Sequence, residues 1–405
     1  MSEPLRALRA RGPEAAALLD ALTGWDGVWL VGGVVRDGLL GRAPGPDVDV
    51  VVEGEVDPVA RRLERALGGA LVTHGRFGTA TLRAGALRVD LARTRAEHYA
   101  RPGALPDVRP AGLREDLARR DFTVNAMALG LDGELRSADR AREDLRARRL
   151  RTLHPASFRD DPTRLLRLVR YAARLGFIVE RGTARDGQAA AAAGVLGTVS
   201  AQRLAAELAL VADEACAPAA LVHAGRLGIL AALGLAAPDP DLLTQALADL
   251  PADGRRDTLI LGALAARSEP DTQRRVLTRL ARDSSARDGA RGAADAPALG
   301  RALAEAAPRP SAWAELLGDT PVEAAALAGA LGPRPARARA QRWLSELRHV
   351  RLGIDGAHLL AAGVTQGPAV GRGLAGALAQ RLDGELAPGR ESELQAALRA
   401  AEGAT

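Results

Sequence analysis

Two aspartates at alternate positions, Asp47 and Asp49, open a run of valines at 50–52. Alternate side chains of a β-strand lie on the same face, so the two carboxylates can bind the same hard cations. Shortly before them, Gly32 and Gly33 separate an apolar run from a helix-like stretch. Glycines at a strand-to-helix turn let backbone N–H groups approach phosphate oxygens, and the helix dipole favours the same anions. This combination predicts a site for a nucleoside triphosphate bound together with metal ions.

Two further side chains extend this chemistry. Arg36, one helical turn beyond the glycines, can make a charge-assisted contact to the same phosphates. Asp90, in the strand-like sequence LRVDLA, offers a third carboxylate to position or deprotonate an attacking hydroxyl. The alternative for Asp90 is a surface aspartate at a strand end. Two metal ions about 3.5–4 Å apart on Asp47 and Asp49 would hold the attacking and leaving oxygens of an in-line phosphoryl transfer.

Hydrophobic patterning and breaker residues predict the elements that position these residues. Helices are expected at 5–24, after the glycines, and at 57–68. Strands are expected at 28–31, from Asp47 to Val52, and at 70–73, 79–83 and 87–91, with turns at 41–46, 75–78 and 84–85. Together these elements predict an α/β region in which a mixed sheet is backed by helices.

Composition bounds the class of protein. With 405 residues the chain is expected to hold two or more domains. A net charge of +5, carried by arginine because the sequence contains no lysine, modestly favours a polyanionic partner. The single cysteine, Cys216, excludes an internal disulfide framework and a cysteine-ligated zinc site. The sequence has neither a signal-peptide core nor an apolar run of membrane-spanning length, so a cytoplasmic protein without membrane contact is expected.

Two arginine-rich stretches follow the α/β region. Residues 94–110, which separate the predicted strand at 87–91 from these stretches, are polar and Pro-rich and predict a loop. In RRDFTVNAMA, Arg119 and Arg120 provide planar donors that suit phosphates. In FRDDPTRLLRLVRYAARLGF, residues 158–177, one helix is predicted. Its polar stripe consists of Asp161, Arg164, Arg167 and Arg170.

Three motifs in this order resemble those of one family. GGVVRD with DVD, then RRDFTVNAMA, then DDPTR with further arginines, resemble the motifs of the class II (bacterial-type) tRNA CCA-adding nucleotidyltransferase and poly(A) polymerase family. Asp160 stands where the family has Glu. The resemblance implies an α/β nucleotidyltransferase head at 1–150, a helical neck at 151–212 and an all-α body and tail at 213–405 that binds tRNA. Stretch 283–297 is expected to be a linker, and a helix is expected at 370–400.

The resemblance implies template-independent addition of C and A residues to the 3′ end of tRNA from CTP and ATP. Asp47 and Asp49 would hold Mg²⁺, and Asp90 would complete the catalytic set. Asp161 would accept a hydrogen bond from the exocyclic amine of cytosine or adenine, while Arg164 would donate to the neighbouring ring acceptors. Guanine and uracil would leave both groups mismatched, at about 1–3 kcal/mol for each unpaired buried group. The implied nucleotide-binding set is Gly32, Gly33, Arg36, Arg119, Arg120, Asp161, Arg164, Arg167 and Arg170.

Several functions remain open at this point. Enzymes that add only CC, only the final A, or poly(A) share these motifs. The length of the stretch 94–110 counts against CC addition alone, because the resemblance implies a shortened loop in such enzymes. A non-catalytic RNA-binding protein would be expected to have lost Asp47 and Asp49. A nucleotidyltransferase acting on a small molecule would need neither the long helical half nor the Asp161 and Arg164 pair.

Overall fold

The structure, a computed structural model, describes residues 2–74 and 78–403. The predicted turn at 75–78 lies outside the described residues except for Gly78. The chain divides into two compact units, one comprising Met1–Ser200 with Leu227–Ala232 and the other Ala201–Arg226 with Leu233–Thr405. The head, neck and body boundaries at 150 and 212 stay a prediction.

The strands lie in the first unit. In chain order they are β1 Val28–Val31, β2 Asp47–Val52, β3 Ala70–His74, β4 Thr79–Ala84, β5 Leu87–Arg93, β6 Arg95–His98, β7 Asp107–Pro110, β8 Met127–Gly130, β9 Leu135–Ser137, β10 Arg149–Leu150 and β11 Ile178–Val179. Seven of these strands form one sheet in the described residues, in the order β3-β4-β5-β2-β1-β8-β9. Strand β2 is parallel to β5 and antiparallel to β1, so the sheet is mixed, as predicted.

Helices cover the sheet and build the second unit. They are α1 Glu3–Arg9, α2 Pro13–Leu22, α3 Gly33–Leu39, α4 Val56–Leu67, α5 Leu113–Ala118, α6 Ala141–Arg146, α7 Ser157–Asp160, α8 Arg164–Leu175, α9 Arg181–Ala192, α10 Ala201–Asp213, α11 Ala217–Arg226, α12 Ile229–Ala232, α13 Pro240–Asp249, α14 Arg256–Ala265, α15 Pro270–Leu280, α16 Ser284–Ala294, α17 Ala296–Glu305, α18 Pro310–Leu317, α19 Val322–Leu331, α20 Arg334–Ser345, α21 Gly356–Ala361, α22 Pro368–Asp383 and α23 Arg390–Glu402. The α/β head followed by helices confirms the predicted fold class.

A buried core fixes the two strands that precede and follow the glycine turn. All four residues of β1 are buried, and Trp29 and Val31 pack with Val51 of β2 and with α5 through Leu113 and Leu117. In β2, buried valines alternate with exposed Asp47 and Asp49. Val48, Val50 and Val52 therefore fill one face of β2, while Asp47 and Asp49 lie on the other face, where only Val51 is covered by the cluster of Trp29 and Val31.

Proline and glycine divide two of the predicted helices. The helix expected at 5–24 is two helices, because Gly12 has a positive φ of 146° and Pro13 starts α2. The helix expected at 158–177 is α7 and α8, because Asp161 precedes Pro162 and adopts an extended conformation with φ −129° and ψ 94°. Steric contact with a following proline disfavours the helical conformation, so the chain leaves the helix at Asp161. Thr163, and not an aspartate, is the N-cap residue of α8.

Three other predictions of secondary structure are also wrong. The stretch 94–110 is not only a loop, because β6 and β7 pair as an antiparallel hairpin within it. The expected linker at 283–297 contains α16, whose N-cap Asp283 accepts a hydrogen bond from the Ala286 backbone N–H. The helix expected at 370–400 is α22 and α23, separated at Gly384 with a φ of +76°. No helix among the described residues combines the length and apolar character that a membrane span requires.

Candidate active site

The carboxylates meet on neighbouring strands. Asp49 of β2 stands beside Asp90 of β5 in parallel register, and Asp47 lies two residues away on the same face as Asp49. Desolvation by surrounding protein atoms raises the pKa of the Asp49 carboxyl, and the negative charges of Asp90 and Asp47 raise it further against the opposing charges of Arg120 and Arg88. This crowding of like charges is the condition that a divalent cation relieves.

Asp90 is engaged with its own strand neighbours. Thr81 Oγ1 donates to Asp90 Oδ1 at 2.6 Å, and Arg88 Nε lies 3.0 Å from Asp90 Oδ2. Within residues 2–74 and 78–403, no group of three or more His, Cys, Asp or Glu side chains is arranged to hold a metal ion. The structure therefore brings the three predicted aspartates onto two adjacent interior strands of the sheet without gathering them into a single three-ligand group.

The glycine turn lies against the carboxylates. Gly32 ends β1 with a φ of +69°, a conformation that favours glycine, and it is the N-cap of α3. A Cβ at Gly32 would lie 3.0 Å from Asp49 Oδ2 and 3.9 Å from Arg120 Nη1. The turn, one metal-binding candidate and one arginine of the RRD motif are thus immediate neighbours. Gly33 begins α3 next to them.

Arg36 is buried, with 2% of its surface exposed. Its Nε and Nη2 donate to the Asp37 carboxylate at 2.8 and 2.9 Å, and its Nη1 donates to Asn125 Oδ1 at 2.6 Å. One donor on each nitrogen is therefore used inside the protein. This geometry favours a role in holding the turn in place over the direct phosphate contact that the sequence suggested.

The two arginines of the RRD motif share one buried carboxylate. Arg119 and Arg120 both donate to Asp116, at 2.7 and 2.9 Å, and Arg119 also donates to Glu97 of the β6–β7 hairpin at 2.8 Å. Burial alone would raise the pKa of the Asp116 carboxyl, but the two guanidinium groups hold it below its usual value. The Arg120 Nε is buried and has no hydrogen-bond partner among the described residues. The Arg120 nitrogen nearest the glycine turn is Nη1.

Of the predicted base-selecting residues, Arg164 begins helix α8 and Asp161 lies before it, and the predicted set does not form an exposed stripe. Arg164 is 5% exposed and donates to Ser157 Oγ at 2.7 Å and to the Arg119 carbonyl at 2.6 Å. Asp161 Oδ1 accepts hydrogen bonds from the Thr163 backbone N–H and Oγ1. The expectation of a solvated polar face is therefore wrong for Arg164, which links α7 and α8 to the RRD motif.

The two later arginines of α8 surround an aromatic ring. Arg167 donates to Asp121 Oδ2 from Nε and Nη2, at 3.0 and 2.7 Å. Arg170, 8% exposed, lies with its Cζ 5.2 Å from the centroid of the Tyr171 ring. Asp121, Asn125 and Tyr171 were not among the predicted site residues. The scarcity of aromatics, 2% of the chain, is the sequence signal that singles out Tyr171 among these arginines.

Part of the first unit matches a known protein family. Residues 28–151 match the family described as the Poly A polymerase head domain. The A-adding tRNA nucleotidyltransferase of Aquifex aeolicus (strain VF5) is 44% identical over 190 residues, which are 46% of this chain and 23% of that protein. The A-adding enzyme of Halalkalibacterium halodurans is 41% identical over 220 residues, 53% of this chain and 50% of that protein. The CC-adding enzyme of Deinococcus radiodurans is 46% identical over 151 residues, 36% and 40% of the two chains.

The chain thus spans between 23% and 50% of the length of these curated relatives. Solved structures extend the similarity to the helical unit. A CCA-adding enzyme in an apo form matches 97% of this chain and 98% of its own, with a TM-score of 0.81 and 26% identity. The Thermotoga maritima CCA-adding enzyme in complex with tRNA matches 99% of both chains, with a TM-score of 0.77 and 26% identity.

Proposed function

We infer that this chain, which belongs to the class II (bacterial-type) tRNA CCA-adding nucleotidyltransferase and poly(A) polymerase family, adds C and A residues to the 3′ end of tRNA without a nucleic-acid template. CTP and ATP are the proposed substrates and pyrophosphate is released. The single observation that carries this proposal is the close approach of the glycine turn to Asp49 of the central strand β2 and to Arg120. A cytoplasmic location is proposed with it, because tRNA is a cytoplasmic substrate.

The donor set on strand β2 fits a divalent metal ion, which enzymes of this family generally use. Asp47 and Asp49 offer carboxylate oxygens on one exposed face, and desolvation, followed by the charges of Asp90 and Asp47, raises the pKa of Asp49. Mg²⁺ is the ion proposed, since it prefers oxygen ligands and keeps phosphates and waters in its coordination shell. When bound, it would offset the charge of the reacting phosphate and ease deprotonation of the attacking hydroxyl.

The protein's own groups would position the two reactants. The backbone N–H groups of the glycine turn and the Arg120 guanidinium would hold the triphosphate beside Asp49. The terminal tRNA hydroxyl then forms a bond to the α-phosphorus of the nucleotide, and the bond from that phosphorus to the pyrophosphate oxygen breaks. Asp90, oriented by Thr81, is proposed to help position that hydroxyl.

Selection of the base is proposed to fall to Asp161 and Arg164. Asp161 would accept a hydrogen bond from the exocyclic amine of cytosine or adenine, and Arg164 would donate to the adjacent ring acceptors. Ser157 and the Arg119 carbonyl hold the Arg164 guanidinium before any nucleotide arrives, so little rotamer entropy is lost on binding. The proposed roles of Arg167 and Arg170 are to support this nucleotide site from the same helix.

Partial addition is the second candidate, because the relatives described above include A-adding and CC-adding enzymes at similar identity. The hairpin of β6 and β7 occupies the stretch whose shortening the family resemblance associates with CC addition alone. Its presence favours A addition or full CCA addition over CC addition.

The test uses the purified chain and three tRNA transcripts, ending before CCA, after the first C, and after CC. Each is incubated with CTP alone, ATP alone, or both. Incorporation of CTP on the first transcript and of ATP on the last is the expected result. Incorporation on only one of them assigns partial addition, and ATP tailing of an unrelated RNA assigns poly(A) polymerase. Absence of incorporation on every transcript contradicts the proposal, with Asp47→Ala as the inactive reference.

A further inference from the structure

Three guanidinium groups from two separate helices surround the ring of Tyr171. The Cζ atoms of Arg36, Arg167 and Arg170 lie 5.6, 5.6 and 5.2 Å from the ring centroid. Arg36 belongs to α3, directly after the glycine turn, while the other two lie on α8 with Tyr171 itself. Phe122 makes an edge-to-face contact with Tyr171, with the ring centroids 6.0 Å apart and an interplanar angle of 84°.

A chain of hydrogen bonds joins the same helices. Arg36 Nη1 donates to Asn125 Oδ1 at 2.6 Å, and Asn125 Nδ2 donates to Asp121 Oδ1 at 3.0 Å. Arg167 Nη2 then donates to Asp121 Oδ2 at 2.7 Å. The first and last members of this chain are two of the three arginines at the Tyr171 ring. The turn and the selecting helix are therefore connected twice, once by hydrogen bonds and once through the ring.

The electrostatics explain why a ring is needed here. Three positive charges around one point repel each other, and the carboxylates of Asp37 and Asp121 offset Arg36 and Arg167 only. Arg170 is 8% exposed and its buried Nε has no hydrogen-bond partner among the described residues. An aromatic face carries negative quadrupole charge and attracts desolvated guanidinium groups. Tyr171 thus supplies Arg170 with an attractive contact that its Nε does not find in a hydrogen bond.

We propose that Tyr171 is a positioning residue that orients Arg36, Arg167 and Arg170 together and so couples the glycine turn to the base-selecting helix. The ring does not touch the nucleotide. It fixes the angle between the element proposed to hold the phosphates and the element proposed to read the base. This inference rests on the proposed function for the identity of the nucleotide, and its test separates the two.

The test compares Tyr171→Leu, which removes the ring, with Tyr171→Phe, which keeps the ring and removes only the hydroxyl. Trp313→Leu is the matched control, because Trp313 also has a guanidinium over its ring, that of Arg339 at 5.2 Å, but lies in the second unit. Dissociation constants for CTP and UTP are measured without tRNA, and kcat and KM are measured with it.

The Leu variant is expected to lose about tenfold in its preference for CTP over UTP, equivalent to ~1.4 kcal/mol, mainly through the dissociation constant and KM for CTP. The Phe and Trp313 variants are expected to stay within about twofold of the wild-type chain because both keep the ring at position 171. An unchanged preference in Tyr171→Leu overturns the inference, as does an equal loss in Tyr171→Phe.

A measurement on the wild-type chain guards against a Leu variant that fails to fold. The Nε–H proton signals of Arg36, Arg167 and Arg170, identified by single Lys substitutions, should show ring-current shifts that other arginines lack, and Tyr171→Phe should retain them. Absence of these shifts overturns the inference. If the wild-type chain binds CTP but transfers nothing to tRNA, the proposed function fails and the binding comparison still decides the role of Tyr171. If it binds no nucleotide, both fail.

Discussion

The candidate site has two ends that are built in opposite ways. On the central strand β2, Asp47 and Asp49 are exposed, and neither carboxylate accepts a hydrogen bond from any of the described residues. Around α8, Arg36, Arg164 and Arg170 are 2%, 5% and 8% exposed. Arg36 and Arg164 donate to named protein groups, and Arg170 lies over a ring. The exposed carboxylates are therefore available to a ligand, whereas the buried guanidinium groups are already in contact with protein groups.

Desolvation accounts for this difference. A buried charge is tolerated only when it is paired and hydrogen-bonded, so an arginine placed under a binding surface has to bring partners such as Asp37, Asp116 and Asp121. Carboxylates intended for a metal ion stay at the surface and repel one another until a cation arrives. Substitutions at the two ends should consequently separate activity from stability.

The largest effect is expected at the carboxylate end. Asp49→Ala should lower kcat/KM for nucleotide incorporation by about a thousandfold, since several kcal/mol of metal-assisted charge stabilisation would be lost. The melting temperature should not fall, because the surroundings of Asp49, desolvation first and then the charges of Asp90 and Asp47, disfavour its ionised carboxylate. Incorporation kinetics and a thermal melt of the same preparation measure the two quantities.

Asp139→Ala is the matched control for Asp49→Ala, because Asp139 is an exposed aspartate of the same unit outside the site. It should leave both quantities at their wild-type values. A large drop in melting temperature for Asp49→Ala, or activity within a few-fold of wild type, would show that the carboxylate end is structural after all.

At Arg164, unlike at Asp49, we expect a substitution to lower the stability of the fold as well as to impair function. Because its guanidinium donates to Ser157 Oγ and to the Arg119 carbonyl, Arg164→Ala leaves two buried acceptors unpaired. The free energy of unfolding should fall by about 2–4 kcal/mol, together with a loss of discrimination against UTP and GTP. Urea unfolding and single-nucleotide incorporation check this pair. If discrimination is lost while stability stays at the wild-type value, Arg164 belongs to an exposed stripe, as the sequence suggested. The two ends of the site would then not differ in burial.

Local patterns in the sequence predicted the sheet well. The strand β1, the opening of β2 and the order of β3, β4 and β5 follow from apolar runs bounded by glycine, and the structure confirms them within one or two residues. The single helix predicted at 158–177 was wrong, because Pro162 takes Asp161 out of the helical conformation and separates α7 from α8. The hairpin of β6 and β7 was missed because a Pro-rich polar stretch lacks the alternation that indicates strands.

The sequence did not predict which arginine side chains around α8 are buried. Residues spaced by three drift about 60° per step around a helix, so Arg164, Arg167 and Arg170 spread over about a third of the circumference of α8, and Asp161 lies before the helix. Two of those arginines consequently lie under the surface. The partner of Arg36 is Asn125, 89 residues away, and no local period points to such a pair. Contacts of this range come from the packing of elements, which spacing alone does not specify.

The smallest effect concerns the buried carboxylate that joins the two arginine motifs, and it depends on pH. Burial would raise the pKa of the Asp121 carboxyl, but Arg167, Asn125 and the Phe122 backbone N–H outweigh it and hold the pKa below its usual value. A folded-state pKa below the unfolded value means that the charge stabilises the fold above about pH 4 and that this stabilisation is lost as the pH falls through the folded pKa. Asp121→Asn should therefore lower the free energy of unfolding by about 1–3 kcal/mol at neutral pH, with the difference from wild type shrinking under acid. Unfolding titrations from pH 7 to pH 3 measure it.

The control is Asp253→Asn, whose exposed carboxylate pairs with Arg348 and should contribute under about 1 kcal/mol at any pH because solvent screens it. Equal effects of the two substitutions would mean that burial does not distinguish the pairs of the site from those of the surface.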